Sequence, residues 1–420
     1  MQTTCCGPKP PRLATKAADP TALPPWFERL LDDMYNDRIP PEALPLDLYD
    51  FTASILTAAM AEGMDIGFDA IDPATELAKF TNRIRANLYS FSAAKSYSQM
   101  LEMRDAVFDG QGAVRPFTEF RDDALQVNSR YNENWLAAER QAVVGGTLSG
   151  REWLDIQQDK EAFPYLEYVA VADDRTRRSH MRLHATVLPV DDPFWNQYYP
   201  PNGWNCRCTT RQISEAPNGG LSDSNEAVSR GDMAAETYFR KNTGQTDIFE
   251  ADKTAYYEAV PDDGNLRNGK QLQAVKHYRL RTYNKIMERT DQLPIQPSAI
   301  TSEAQARTYW NDRADNQGNM TLRNARIGQP VQAAPALRDM LINGQRYDEL
   351  EALPGVVRNP DEVWQGLTGR DALQTTYIKY FTNKPYVVAV RPDATIASVD
   401  RLDDTDKLEG LRRGVLLSRK

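Results

Sequence analysis

Residues 200–208 read PPNGWNCRC and bring together two of only four cysteines in the 420-residue chain. The two prolines fix φ, Gly203 permits a positive φ, and Trp204 can anchor the loop by burial. We therefore expect a rigid turn that holds Cys206 and Cys208 close together.

The sequence around this turn changes from helical to strand-like patterns. FPYLEYVAVA (163–172), ATVLPV (185–190) and CRCTTRQI (206–213) predict three short strands from their β-branched, aromatic and alternating side chains. Long loops rich in proline and aromatic residues join them, so this unit should be short of hydrophobic core. The aromatic residues expected to pack beneath the turn are Phe194, Trp195, Tyr198 and Tyr199.

Two of the three histidines, His180 and His184, lie within about thirty residues of the two cysteines. Thiolate and imidazole are the ligands that zinc prefers, and a structural site usually has four of them. A structural zinc would compensate for a small core by joining the strand at 206–208 to the loop at 180–184.

The same residues also suit roles without a metal. Buried free cysteines can act as small hydrophobes, with His180 bonded to backbone groups. A Cys206–Cys208 disulfide would close a strained ring in a reducing compartment, and a catalytic Cys–His pair lacks an evident third group to orient it. The aromatic side chains would also suit a stacking platform for single-stranded nucleic acid.

Several arginines give this region local positive charge in an acidic chain. They could contact a DNA backbone or form salt bridges with neighbouring aspartates. The arginines are Arg175, Arg177, Arg178, Arg182 and Arg207, and the aspartates are Asp173, Asp174, Asp191 and Asp192.

Composition limits the function classes for the whole chain. A net charge of −9 and a pI near 5.2 argue against a global polyanion-binding surface. The N-terminus lacks the apolar core of a signal peptide, and no segment has the roughly 18 apolar residues of a membrane span. The adjacent Cys5 and Cys6 suit free thiols, so we expect a protein kept in a reducing cytosol.

The predicted fold class is α+β. A flexible tail at 1–25 precedes a mainly helical region with the small β-containing Cys/His module at 26–215. A connecting region of loops and helices at 216–334 leads to a separate small α+β domain at 335–420. The long helix from Phe117 carries an aromatic and apolar stripe that indicates a packed face, and Gly145-Gly146 is expected to end it.

The ordered pattern around the cysteines resembles the Mu F-type phage head-morphogenesis family, minor capsid proteins of tailed double-stranded DNA phages. The resemblance spans roughly residues 25–215, and the YNENWLAAERQA helix also looks similar. The matching positions are Asp173, Arg175, Thr176, Arg177, His180, Pro200, Pro201, Gly203, Trp204, Cys206, Arg207 and Cys208.

The resemblance favours His180, Cys206 and Cys208 as metal ligands, with Asp173 or a water as the fourth. His184 stands where the family often has Asp-Gly, so it is not a family position. The resemblance also implies a protein of the capsid interior near the portal, present in the host cytoplasm during assembly. It implies the portal protein, major capsid or scaffold proteins and packaged DNA as partners, an effect on genome ejection, and no membrane.

In the C-terminal domain, the segments ALPGVVRNPDEVW (352–364), YIKYF (377–381) and KPYVVAVRPDATIASVDRLD (384–403) look like the phage barnase–EndoU–colicin–RelE-like nucleases. It implies a virion-delivered RNase-type effector as the alternative function. With no histidine after His277, catalysis would rest on Glu362, Lys379, Arg391 and Arg412, with Arg413 and Tyr377 as further candidates. An inactive structural domain is the competing interpretation, and a cellular zinc enzyme is a third hypothesis for the whole chain.

Overall fold

The computed structural model describes residues 24–420 apart from 73–74, 261–271, 289–297, 325–326, 328–329, 368–372, 383 and 403. The predicted tail at 1–25 therefore lies almost wholly outside the described residues, as do Cys5 and Cys6. No helix in the described part of the chain is long and apolar enough to span a membrane.

Five helices form the N-terminal region, and α3 is its central element. Phe80, Ile84, Leu88 and Phe91 recur at the predicted spacing of three and four, and all are buried on α3. Helix α2 packs against α3 and α5. The helices are α1 (Pro25–Tyr35), α2 (Leu46–Met64), α3 (Glu76–Asp105), α4 (Phe117–Ser129) and α5 (Leu136–Asp159).

A π-helical turn, Arg130–Trp135, joins α4 to α5. It changes which residues face the core along the apolar stripe that was predicted for the helix from Phe117. The N–H of Leu136 bonds to the carbonyl of Tyr131, five residues earlier, so the turn is wider than in an α-helix. Trp135, predicted to face the core, is 40% exposed, whereas Leu136 and Glu139 are buried. The predicted stripe is therefore interrupted at Trp135, whereas its last member, Ala142, is buried as predicted.

The wide turn lies beside a buried ion pair between α3 and α5. The Lys95 ammonium donates to Oε2 of Glu139 at 2.7 Å and to the Tyr131 carbonyl at 3.0 Å. It also lies 5.4 and 5.2 Å from the ring centroids of Tyr131 and Tyr256. Oε1 of Glu139 accepts from the Tyr256 hydroxyl at 3.0 Å, so both charges are paired inside the bundle.

Gly145-Gly146 does not end the helix as predicted, because α5 continues to Asp159. A Cβ on Gly146 would lie 3.2 Å from the Ile248 side chain, and one on Gly150 would lie 2.5 Å from the Phe80 ring. These glycines let neighbouring segments approach the helix closely, which is why they are tolerated within it.

The Cys/His module follows α5 and has its own hydrophobic core. Its antiparallel sheet has the strand order β2-β1-β3, so the predicted three strands are present with shorter bounds. Trp153 and Ile156 of α5 and Ala227 and Ala234 of α8 complete the core. The module therefore has a larger hydrophobic core than the sequence predicted. Its elements are β1 (Tyr165–Val169), α6 (Arg178–Met181), β2 (Val187–Pro189), α7 (Phe194–Tyr198), β3 (Thr209–Ile213) and α8 (Ser224–Ala234).

The predicted connecting region contains short helices, turns and a two-stranded sheet. Its residues 240–250 pack against the helical bundle. Arg83 of α3 donates to the carbonyls of Thr243 and Gly244, at 2.9 and 3.1 Å. The regular elements are 3₁₀ turns at Thr237–Phe239, Ala251–Lys253 and Ala255–Glu258, helices α9 (Tyr283–Met287) and α10 (Glu303–Asn311), and strands β4 (Met320–Arg323) and β5 (Pro330–Ala333).

The C-terminal region has two helices before a five-stranded antiparallel sheet ordered β10-β6-β7-β8-β9. Pro354 lies inside the second of these helices, Tyr347–Arg358, although proline is usually a helix breaker. The elements are α11 (Pro335–Asn343), α12 (Tyr347–Arg358), β6 (Glu362–Leu367), β7 (Leu373–Lys379), β8 (Tyr386–Val390), β9 (Ile396–Arg401), α13 (Thr405–Leu411) and β10 (Val415–Arg419).

These observations confirm the predicted α+β fold class, with a helical N-terminal region, a Cys/His cluster and a C-terminal sheet. One hydrophobic core extends from the N-terminal helices into that sheet. Strand β10 contacts α3, and the Tyr49 hydroxyl of α2 donates to the Leu416 carbonyl at 2.6 Å. The domain boundaries drawn from the sequence stay a prediction.

We expect Gly244→Ala to lower the free energy of unfolding by about 1–3 kcal/mol through overpacking. A Cβ at this position would lie 2.4 Å from Cδ1 of Trp153, whereas one at Gly219 would have no heavy atom within 4 Å. Gly219→Ala is therefore the matched control. Urea unfolding followed by tryptophan fluorescence would measure both, and equal stability of the two variants would contradict the packing argument.

Candidate metal centre

Three side chains with metal-binding atoms meet in the module. His180 lies in the short helix α6, and Cys206 and Cys208 lie in the turn that leads into β3. The Cys206 N–H bonds to the Gly203 carbonyl at 3.1 Å, and Asn205 adopts a left-handed conformation, with φ of 56°. This turn is the rigid element that the sequence predicts, and it directs both thiols toward α6.

The turn is fixed from beneath and from the side. Asn202 is fully buried, and its Oδ1 accepts from the Tyr168 hydroxyl of β1 at 2.8 Å. The Trp204 ring is stacked on Tyr238, with centroids 5.5 Å apart. The four aromatic side chains expected beneath the turn are all buried: Phe194, Trp195, Tyr198 and Tyr199.

The distances within the cluster suit a tetrahedral metal. Nδ1 of His180 lies 3.5 Å from Sγ of Cys206 and 3.7 Å from Sγ of Cys208. Tetrahedral Zn–S and Zn–N bonds of about 2.3 and 2.0 Å place a sulfur and a nitrogen about 3.5 Å apart. The three ligand atoms all lie within 4.8 Å of one another, so the cluster could hold a metal ion.

The same distances also suit imidazole–thiol hydrogen bonds. Nε2 of His180 is buried and has no hydrogen-bond partner among the residues that the structure describes. Metal-bound histidines usually donate this second N–H to a carboxylate, carbonyl or water. The three ligands therefore fit a metal by position, while the outer nitrogen lacks the usual protein partner.

The two thiols differ in acidity. The hydrogen bond with Cys208 lowers the pKa of the Cys206 thiol, and the bond with His180 lowers it further. The same contact with Cys206 raises the pKa of the Cys208 thiol, because one proton is retained between the two sulfurs. Cys206 is thus the thiol that more readily becomes a thiolate, which is the form that binds metals.

Asp173, the predicted alternative fourth ligand, is occupied elsewhere. Its carboxylate oxygens accept two bonds from the Arg207 guanidinium, at 2.6 and 2.8 Å. This hydrogen bonding holds the pKa of Asp173 well below its usual range. The structure does not bring Asp173 into the cluster. His184 also lies outside it, and its Nδ1 accepts from the Ala170 N–H at 3.3 Å.

The arginines around the cluster contact several kinds of group. Arg175 and Arg207 pair with Asp173, as the salt-bridge interpretation expects. Arg177 donates to the Trp204 carbonyl at 2.8 Å, and Arg182 lies 3.7 Å from the Met233 sulfur.

The cluster lies within a segment of the chain that is similar to known proteins. Residues 99–211 match the family model described as Phage Mu protein F like protein. The match includes all three ligands of the cluster. It begins in α3 and ends in β3, so it covers a shorter part of the chain than the predicted 26–215.

Two curated proteins are similar to a short part of the chain. One is the "Putative capsid assembly protein F" of Escherichia phage Mu, 57% identical over 56 residues. The other is the "Mu-like prophage FluMu F protein" of Haemophilus influenzae, 54% identical over 52 residues. Each match spans 13% of the relative, and they span 13% and 12% of this chain. No solved structure matches the chain.

The structure extends the module beyond the Mu F-like segment, which the sequence interpretation missed. The Tyr198 hydroxyl donates to Asp232 of α8 at 2.7 Å, and a Cβ on Gly231 would lie 2.7 Å from the Tyr198 ring. A sequence signal was present, because Asp223 and Glu226 have the spacing of a helix N-cap. The Asp223 carboxylate indeed accepts from the Glu226 N–H at 2.8 Å.

The candidate catalytic residues of the C-terminal region each have different contacts. Glu362 and Arg412 form a buried ion pair at 2.7 Å, and Arg412 also pairs with Glu409. Lys379 donates to the Asn359 carbonyl at 2.7 Å.

Arg391 is exposed at the end of β8. Of the further candidates, Tyr377 is buried in β7, and Arg413 forms a backbone bridge with Gln273. The Glu362–Arg412 pair holds α13 and β10 to β6, and nuclease activity stays a prediction from the sequence.

Proposed function

We propose that this chain acts in head morphogenesis of a tailed double-stranded DNA phage, as a minor head protein. The observation that carries the proposal is the match of residues 99–211 to the Mu F-like family model. The 57% identity to a putative capsid assembly protein supports it, although over a short segment. The matched segment also contains the cluster of His180, Cys206 and Cys208.

The proposed function also includes a location for the chain and a set of partners. The chain would lie inside the capsid near the portal, after assembly in the host cytoplasm. It would contact the portal protein and major capsid or scaffold proteins, and it would lie close to packaged DNA and affect genome ejection. A negative net charge suits protein contacts better than tight binding to DNA.

The cluster would hold one structural zinc in this proposal. His180, Cys206 and Cys208 would supply three ligands, and a water would complete the tetrahedron because Asp173 is bound to Arg207. The metal would connect α6 to the turn before β3, two segments that are 26 and 28 residues apart at their ligands. Its role would be to fix the module's shape for contact with other head proteins.

The proposal predicts that the chain is present in purified phage particles and needed for their assembly. Particles from a strain that encodes the chain would be compared with those from a deletion strain, with and without a plasmid copy. We expect deletion to cause a large loss of infectious particles and the plasmid copy to restore them. Absence of the chain from both particles and their precursors would contradict the proposal.

A further inference from the structure

The loop between α3 and α4 exposes two large apolar side chains. Phe108 is 49% exposed and Val114 is 59% exposed, among the largest values for apolar residues in the described chain. The two residues face each other in an antiparallel bridge. Directly opposed residues in such a pair project to the same side, so these side chains form one apolar tip. We call residues 108–114 the α3–α4 finger.

The finger is rigid by its own hydrogen bonds. The Asp109 carboxylate accepts from the N–H groups of Gln111 and Ala113, at 2.8 and 2.9 Å. The Asp109 N–H donates to the Ala113 carbonyl at 2.9 Å, and Gly112 has the positive φ, 82°, that the turn requires. A loop held in one conformation loses little entropy on docking, which favours its use as a contact.

The base of the finger is fixed to two helices. The Tyr35 hydroxyl of α1 donates to the Arg115 carbonyl at 2.8 Å. The Arg115 side chain in turn donates to Asp123 of α4 at 2.5 Å, and the Arg115 N–H bonds to the Val107 carbonyl at 2.9 Å. The apolar tip is therefore presented at a defined position instead of being free to fold back.

The charges beside the tip are mainly negative. Asp105 and Asp109 are exposed, whereas Glu119, whose side chain is 58% exposed, pairs with Arg115 at 3.6 Å. The nearby cations are engaged within the chain, since Arg104 pairs with Asp37 and Arg115 with Asp123. An apolar tip with acidic sides complements an apolar cleft with lysine or arginine at its rim.

From these features we propose that the α3–α4 finger inserts Phe108 and Val114 into a basic-rimmed apolar cleft of another phage head protein. The inference rests on the proposed function, because that function supplies the class of partner. A second copy of this chain fits less well, since a two-fold contact would bring the acidic sides of both fingers together. Nucleic acid fits less well because its phosphates would meet the same carboxylates.

The test replaces Phe108 and Val114 together with serine in the full chain. Leu221→Ser is the matched control, because Leu221 is a loop residue that is 41% exposed. Each protein would be expressed in the deletion strain, and its copies per purified particle would be counted by quantitative immunoblot. We expect the number of copies per particle to fall by about tenfold or more for the double variant, as when buried anchor residues of an interface are removed. The control should match the wild type.

A second variant leaves the apolar tip intact. Asp105→Lys reverses one acidic side at the C-terminal end of α3, where a cation is compatible with the helix dipole. It should also lower incorporation, with an unchanged melting temperature. Normal incorporation of both variants would overturn the inference. Sedimentation showing a wild-type dimer that the serine variant abolishes would overturn it in favour of a second copy. Absence of the wild type from particles would refute the proposed function itself.

Discussion

We expect replacement of Cys206 and Cys208 together with serine to remove the zinc proposed for the cluster and to destabilise the module. The two sulfurs supply two of the three ligand atoms of the cluster, and serine hydroxyls are poor zinc ligands at neutral pH. Free zinc at about a hundred to a thousand times its dissociation constant stabilises a folded protein by about 3–4 kcal/mol. We expect a loss of that order in the variant and in wild type treated with a chelator.

The measurement is elemental analysis of the purified full chain under reducing conditions, combined with thermal unfolding. Wild type should carry about one zinc per chain, and His180→Ala should lose it as the double serine variant does. His184→Ala and Asp173→Asn are the controls and should retain zinc, because neither side chain belongs to the cluster. A well-folded wild type without metal would instead identify the three residues as a hydrogen-bonded packing group.

Lys95→Met should destabilise the helical bundle by about 3–5 kcal/mol, because it leaves a buried charge without its partner. The Lys95 side chain is fully buried and that of Glu139 is 6% exposed, at 2.7 Å from each other. Removal of the Lys95 ammonium leaves the Glu139 carboxylate with the hydrogen bond from the Tyr256 hydroxyl, at 3.0 Å, and with no cation paired to it among the residues of known placement. Guanidinium unfolding monitored by circular dichroism would measure the loss.

The double variant Lys95→Met with Glu139→Leu separates charge from packing. Because no charge is then left buried, most of the stability should return, in line with apolar replacement of buried ion pairs. Lys160→Met is the surface control. Its partner Asp191 lies 2.9 Å away, but the two side chains are 39% and 72% exposed, so we expect a change below about 1 kcal/mol. A double variant as unstable as Lys95→Met would contradict this account.

The sequence predicted the elements whose signals are local. Helix α3 follows its apolar spacing, and the three strands of the module follow their β-branched and aromatic composition. The turn at 200–208 was predictable from its two prolines, which fix φ, although its left-handed residue is Asn205 and not Gly203. The rarity of histidine and cysteine pointed to His180 and His184 together with Cys206 and Cys208, and the family resemblance favoured His180, which is the histidine of the cluster.

The features that depend on distant contacts were not predictable. The sequence YNENW contains nothing that would indicate a π-helical turn. The turn is stabilised by a hydrogen bond from Lys95, which belongs to another helix. Gly146 has the same local appearance whether it ends a helix or receives a neighbouring side chain, and only the position of Ile248 decides between them. The fourth-ligand hypothesis for Asp173 depended on where the Arg207 side chain lies, which sequence spacing leaves open.

The bond between Tyr49 and Leu416 joins residues that are 367 positions apart. At a synthesis rate of about 5–20 residues per second, the ribosome needs about 20–70 s between the two. During that interval the side of α2 and α3 that packs against β10 has no sheet to cover it. We therefore expect the nascent helices to bind chaperones until the last strand of the sheet has been made.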